Sequence, residues 1–559
     1  MKQKETDKAK AFAKKYKKKK ISFFSAMLLV LGSSIGAGIF FKSETVLSMS
    51  QNSLILSFFS WIIAAVAVIA MALALIEVAS AKRDNLSLIS WNKVFNSRTV
   101  FKASKNFMVF IYLPLTFFFV PFYIISSLQD GLGAIVYNQI SAYRFNLGVD
   151  SEYDWLIWAL IAFLLAIYFI IFSGLSSKLA DWQNKIIVIL KFIPIVFIVI
   201  VGFIVASQYP SNTSALVQRP TDLTIASGAS IVRFAPGLGL FISLGAIFYA
   251  FDGFYVLTGV QSELENPKKA PLALFLGLVI VTVINLSIAI AMTINGGSFF
   301  LMADKIRQLF GTNNSGQNVG IILFGIVNII IATSIMGILN SFSVWSPRYL
   351  EELIAHGEIP FSAKLRKTLN SDKPWTGVKY SLVLVIPFFI IFTLIGALGY
   401  INTYSNRGYD EAMAKLYSFA DLIANWVTVF TFMFIIFSIY GAIVNRRKNF
   451  IKVEKIRCFL LFAWIAVATV FLSLAVTLLL PIIDFFLISQ LESQLMTNYS
   501  DEIISRVLLV VVLLIFVFFT FGYGRIEDLL MKKKFKNFNN YKIWKARTFN
   551  LDLHEKNNF

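Results

Sequence analysis

The chain has 559 residues, 57 % of them hydrophobic and only 15 % charged, with a mean hydropathy of +0.72. A soluble domain is about half apolar and about a quarter charged, so this is the composition of a polytopic membrane protein. The formal charge of +20 does not argue for a nucleic-acid partner, because basic residues of membrane proteins collect in cytoplasmic loops and do so here; the lone Cys458 excludes an intramolecular disulfide, and two histidines are too few for a His-based zinc site or catalytic triad.

A membrane span needs roughly 20 mostly apolar residues. Twelve such segments lie near 22–41, 54–80, 107–129, 154–173, 186–207, 237–261, 270–294, 318–344, 380–400, 421–444, 458–485 and 504–524. The first follows lysines, as a signal peptide would. It is longer than a signal h-region and lacks a small-residue cleavage site before a soluble domain, so it reads as a retained span. With the N-terminus inside, the inner segments carry about 41 Lys and Arg against about nine outside. Both termini are therefore expected in the cytoplasm, in a bacterial plasma membrane. The start, "KKYKKKK" (Lys14 to Lys20), reads as a topogenic tail suited to anionic lipid. The basic, aromatic end "MKKKFKNFNNYKIWK" reads as interfacial packing rather than RNA binding.

The middle of span one, "LVLGSSIGAGIFF" (Leu29 to Phe41), is rich in glycine and serine. Small residues there serve either close helix packing or a discontinuous helix whose freed amides bind an anion. Span six favours the second reading. Its centre, "YAFDGFY", sets Asp252 beside Gly253 among aromatics. An ionised carboxylate facing lipid costs several kcal/mol, so such acids face a polar cavity and mark function. Two interrupted helices five spans apart point to two five-span repeats and a transporter binding site between them. The expected organisation is a basic cytoplasmic tail 1–20, a first repeat 21–207, an extracellular loop 208–236, a second repeat 237–444, peripheral spans 445–525 and a basic tail 526–559.

The motifs resemble a known family. "GSSIGAGIF" is similar to the span-one signature G-x-x-I-G-x-G-I-F of the amino acid–polyamine–organocation superfamily. "FYAFDGF" with the following "SELENPKKAPLAL" resembles its span six and Glu-x-x-Asn-Pro loop, through Glu263, Asn266 and Pro267; the spacing from Pro267 to Pro271 is one residue short of the family pattern. "GILNSFSVWSPRYLEELIAHGEIP" resembles the end of span eight, with Asn340, Arg348, Gly357 and Pro360 in place but Ala355-His356 where the family has a basic-acidic pair. "ALIEVAS" resembles the end of span two, with Glu77 in the acidic position.

The resemblance implies an all-α, LeuT-like inverted repeat of five plus five spans, with helices one and six discontinuous and two peripheral helices. It implies alternating access for a small-molecule amino acid, without a cofactor or metal. The substrate carboxylate would meet backbone amides from Ser34 through Ile35, Gly36 and Ala37 to Gly38. The ammonium would meet carbonyls around Gly32 and Ser33, and around Ala250 and Phe251. Tyr249 matches a position that often holds an occluding aromatic, with interface packing as the alternative.

Asp252 stands where family members often carry an apolar residue. It either selects a cationic or polar side chain, caps the broken helix or carries a proton. Lys191 lies deep in span five, where an unpaired lysine costs about 2.5–3.5 kcal/mol on insertion scales. It either snorkels or, as the resemblance implies for sodium-independent members, stands in for a bound cation. In the latter role it would touch carbonyls of span one and hydroxyls of span eight, Ser341 or Ser343. Proton coupling and simple exchange both remain open. Pro114, Pro121 and Pro194 are expected to bend helices. Glu77 is expected to pair with loop arginines. Asp421 and Asp484 sit at span edges with no special role expected, and "AHGEIP" reads as a turn.

The leading reading is a sodium-independent amino acid permease, not an enzyme. A polyamine or other organic-cation carrier of the same fold is the alternative. A channel, the lesser alternative, predicts a continuous pore lined by polar or charged rings, and the paired half-helix breaks favour a closed binding site instead; an enzyme predicts a paired-acid, metal or nucleophile set, and the spans offer none.

Overall fold

The computed structural model describes residues 22–50, 53–82, 86–138, 151–208, 238–255, 266, 269–311, 314–370, 373–401, 409–490, 499–549 and 551. Ten helices among them are long and apolar enough to cross a membrane, and they coincide with spans two to five and seven to twelve. Span one is a bent pair, Phe23–Gly32 and Ala37–Met49, at 51° to each other. Span six contributes the shorter apolar helix Gly239–Phe251. Its continuation falls on 256–265, outside the described residues, and the expected total of twelve turns on that stretch. The expected N-terminal tail 1–20 and most of the loop 208–236 also lie outside the described residues.

Several helices overrun the bilayer. Arg98–Tyr137 has 40 residues, Ser315–Ala355 has 41, Glu411–Lys448 has 38 and Ser500–Phe535 has 36. At 1.5 Å per residue each exceeds the roughly 30 Å hydrocarbon core by a wide margin. The overhangs of spans three, eight, ten and twelve carry basic residues to one end of the bundle. Span three thus starts nine residues earlier than its hydropathy predicts, with Arg98–Phe107 as a polar first section. That section passes through a π-helical turn, Met108–Tyr112, into Leu113–Tyr137, with Pro114 just inside the new start, where a missing amide costs least.

Burial ranks the spans. The apolar window of span three is 94 % enclosed by protein, that of span ten 83 % and that of span two 72 %, against 33 % for spans nine, eleven and twelve. Spans three, ten and two therefore form the interior, while the last two spans face lipid over most of their surface. Elements in corresponding positions of the two repeats touch each other. The outer half of span one lies on span six, and span three lies on span eight, where Gly131 faces the Gly325 carbonyl so closely that a Cβ would sit 2.8 Å from it. Small residues allow this approach of backbones.

Candidate substrate site

The site forms where the breaks of spans one and six meet. The inner helix of span one, Phe23–Ser34, ends at Ile35 (φ −84°, ψ 105°) and the outer one begins after Gly36 (φ −140°, ψ −150°). Two extended residues cannot continue the i to i−4 ladder, so the first turn of Ala37–Met49 keeps free amides. Ile35 N–H still bonds the Leu31 carbonyl at 3.0 Å, and Ser34 belongs to the inner helix. The amides left for a ligand are therefore those of Gly36, Ala37 and Gly38, a shorter set than the expected Ser34-to-Gly38 run. A helix N-terminus of this kind carries a partial positive charge and suits a carboxylate.

Gly38 ties this break to the other. A Cβ on it would lie 2.5 Å from Ala250 Cα, so the two backbones cross with no room for a side chain. Span six stops at Asp252 (φ −57°, ψ 147°), and Gly253 follows at φ 97°, a conformation that favours glycine. Asp252 Oδ1 accepts from Gly253 N–H at 2.9 Å, and the Tyr255 hydroxyl donates to the same carboxylate. The helix-capping role is thus present on a half-buried carboxylate. Tyr255 in turn shares a hydrogen bond with Tyr112 of span three at 3.2 Å.

Asn285 of span seven went unremarked in the sequence. Fully buried, it donates to the Ala250 carbonyl at 3.5 Å, and its own amide oxygen has no partner among the described residues. The one amide side chain in "VTVINLSIAI", among apolar residues and the hydroxyls of Thr282 and Ser287, was the available signal.

Lys191 Nζ lies 2.6 Å from the Gly32 carbonyl, one turn before the break in span one. Only 7 % of the residue is exposed, so it does not snorkel. Neither expected hydroxyl reaches it. Spans five and eight run antiparallel, with Gly337 against Ile187 and Asn340 donating to the Ala180 carbonyl, while the Ser343 carbonyl lies against Gly174, before span five begins. Ser343 therefore sits turns away from Lys191, buried without a hydrogen-bond partner, and Ser341 is exposed.

The largest departure from the sequence reading is at Asp421. Expected at a span edge, it is buried and paired with a fully buried Lys42 at 2.6 Å. Tyr123 of span three donates to the same carboxylate oxygen at 2.8 Å and accepts from Lys42 at 2.9 Å. The Lys42 ammonium also stands over the Tyr249 ring at 4.7 Å, and Tyr249 stacks on Tyr123 with centroids 5.9 Å apart. Span ten is longer than its hydropathy predicts, which moves Asp421 inside it. Lys42 lies on the face of the outer helix that turns toward spans three and ten.

On the opposite side of the breaks, Tyr112 packs on Phe342 (5.6 Å), Phe342 on Trp345 (5.6 Å) and Trp345 on Tyr349 (4.4 Å). Glu77 has no exposed surface and pairs with Arg446 through both oxygens, at 2.7 and 2.5 Å. His356 bonds back to the Glu352 carbonyl within a turn. Glu263 and Pro267 lie outside the described residues. Among the described residues, no group of three or more His, Cys, Asp or Glu is placed to hold a metal ion.

The amino acid permease family model matches residues 21–512. The chain belongs to that family. This permease is 45 % identical to an uncharacterised protein of Mycoplasma pneumoniae, over 94 % of this chain and 97 % of that one. It is 24 % identical to the serine/threonine exchanger SteT of Bacillus subtilis, over 67 % and 77 % of the two chains. Against the low-affinity methionine permease of Saccharomyces cerevisiae it is 24 % identical, over 66 % and 64 %. Among solved structures, MhsT in complex with L-phenylalanine aligns with a TM-score of 0.46 at 14 % identity, over 81 % of this chain and 98 % of that one. The permease is a multi-pass membrane protein of a transporter family, not an enzyme.

Proposed function

We propose that this permease is a sodium-independent amino acid transporter of a bacterial plasma membrane. It works by alternating access, as an exchanger or a proton symporter, with both termini in the cytoplasm. The observation that carries the reading is Lys191 on the Gly32 carbonyl. A fixed ammonium already occupies the carbonyl end at the break, the position in which a mobile coupling cation would otherwise be held. The amides of Gly36 to Gly38 supply the carboxylate end, and carbonyls around Ala250 and Phe251 the ammonium end. Exchange by the serine/threonine exchanger among the relatives supports a sodium-independent mode.

Asp252 lies at the floor of the site and favours a cationic or polar side chain. The same carboxylate favours the second reading, a polyamine or other organic cation. Above the breaks, Tyr249, Tyr123 and the Lys42–Asp421 pair form the outer closure. Below them, Tyr112, Tyr255 and Phe342 form the inner one.

The test is uptake into proteoliposomes of a panel of labelled amino acids, with and without sodium, a proton gradient or internal counter-substrate. Uptake that needs sodium overturns the coupling assignment. Competition by amino acids with blocked carboxylates, equal to that of the free acids, favours the organic-cation reading.

A further inference from the structure

At the lysine-rich end of the bundle the chain folds back on itself. The helix Tyr523–Phe535 continues span twelve, and after Lys536 at φ 63° the helix Phe538–Phe549 returns across the end of the bundle. Sequence alone read this segment as a basic interfacial tail, yet one of its charged contacts is enclosed. Lys545, only 2 % exposed, reaches Glu358 at 2.9 Å, and Glu358 is 7 % exposed. Lys93 joins the same carboxylate oxygen at 3.0 Å, and Lys105 donates to the Glu358 backbone carbonyl at 2.6 Å.

Apolar contacts fix the same corner. The Phe549 ring fills the space beside Gly357, where a Cβ would lie 2.5 Å from it. Arg366 stands over that ring and donates to the Thr548 carbonyl. At the other end of the fold-back, Asp528 accepts from Lys102 at 2.6 Å and Arg98 at 3.0 Å.

These partners come from both repeats. Lys93, Arg98, Lys102 and Lys105 lie on the connector between spans two and three and on the first section of span three. Gly357, Glu358 and Arg366 follow span eight. The two groups also meet each other directly, through Lys93 and Lys105 on Glu358; on the alternating-access reading, opening toward this end moves the start of span three relative to the end of span eight. The C-terminal helices are bonded to both.

We propose that residues 523–549 form a strap whose docking on the Glu358 corner and on the first section of span three holds the cytoplasmic entrance shut. Transport then requires the strap to loosen. The proposal rests on the alternating-access reading and on the cytoplasmic placement of the termini. Reversing Lys545 to an acid would set a second carboxylate against the buried Glu358, a like-charge contact that is strongly unfavourable with little water to screen it. Such a reversal therefore shifts the closed–open balance by a large factor.

The test uses the full-length protein in nanodiscs and proteoliposomes. Ser346→Cys in a Cys458→Ser background reports the entrance, because Ser346 is fully buried two turns before the end of span eight. Lys545→Glu, and separately Phe549→Ala, is expected to speed labelling of that cysteine by a membrane-impermeant maleimide about tenfold or more, and to raise the initial uptake rate several-fold. In a second arm, Glu358→Cys and Lys545→Cys are joined by a bis-methanethiosulfonate, which forms a disulfide to each cysteine with release of methanesulfinate and is cleaved by reductant. The bridge is expected to slow labelling and uptake, and reductant to restore both. Unchanged labelling in both release variants, together with a bridge that has no effect, overturns the strap. Labelling that changes as expected, with no amino acid uptake in any form, keeps the strap and overturns the transport reading instead.

Discussion

Lys191 and Gly32 stand 159 residues apart in the chain, yet the ammonium of one lies 2.6 Å from the carbonyl of the other. This contact joins the last span of the first repeat to its first, at the point where span one loses its helical ladder. Lys191→Met keeps the stem and removes the charge. It removes the donor from the Gly32 carbonyl, at about 1–3 kcal/mol or less for a partly exposed acceptor. Uptake is expected to fall at least about tenfold while the purified protein stays folded by its thermal midpoint. Native uptake rates in Lys191→Met, measured with and without sodium, would remove the coupling role.

Asp252→Asn preserves the acceptor for Gly253 N–H and removes the charge. Competition by cationic amino acids is expected to weaken about tenfold or more, with neutral competitors little changed. An identical competition profile before and after the change would assign Asp252 to helix capping alone.

The Lys42–Asp421 pair makes a two-part prediction. Asp421→Asn leaves a fully buried ammonium without its counter-charge, which costs about 3–5 kcal/mol, so the thermal midpoint should drop by several degrees. The double variant Lys42→Met with Asp421→Leu replaces the pair by apolar groups and is expected to recover stability, as buried pairs commonly allow. If the pair serves outer closure, uptake stays low in the double variant. Full recovery of uptake alongside stability would make the pair purely structural.

Gly38→Ala places a methyl group 2.5 Å from Ala250 Cα, backbone against backbone. Overpacking of this kind costs about 1–3 kcal/mol or more. Reduced yield of folded protein and a lowered thermal midpoint are expected; a native midpoint would show that spans one and six can slide apart at no cost.

The Glu358 corner sets a pH dependence. Glu358 is buried among Lys545, Lys93 and Lys105, whose charges hold its carboxyl well below the usual range against the opposing effect of burial. Burial lowers Lys545, which Glu358 partly offsets. A depressed carboxyl stabilises the docked strap above its unfolded pKa of about 4.3 and loses that contribution as pH falls toward the folded value. The thermal midpoint is therefore expected to carry a constant contribution from the docked strap from about pH 5 to 8 and to step down below about pH 4. In Glu358→Gln the step below pH 4 should vanish; a step of the same size in that variant assigns it to another group.

Much of the fold was legible because lipid imposes simple rules. Apolar stretches of sufficient length marked the membrane helices, and glycine beside serine or aspartate marked Ile35–Gly36 and Asp252–Gly253 as breaks. The site was legible only where one residue type carried its meaning locally. Lys191 stood out as a charge deep in a span. Lys42 and Asp421 did not, since each lay at the edge of a hydropathy window, and only packing shows that span ten continues past that edge and buries both. Asn285 looked like one polar residue in an apolar run.

Composition, charge bias and the glycine motifs, by themselves, determined the membrane class, most of the span positions and the two broken helices. They did so because hydrogen-bond satisfaction in lipid is a local requirement, met or broken within a single helix. The tertiary structure decided which charges meet: Lys191 with Gly32, Lys42 with Asp421, Glu77 with Arg446, and Lys545 with Glu358. Those pairings depend on which helices lie side by side and at what level. The register of spans five and eight carried Ser343 away from Lys191, and no pattern within either span records that register.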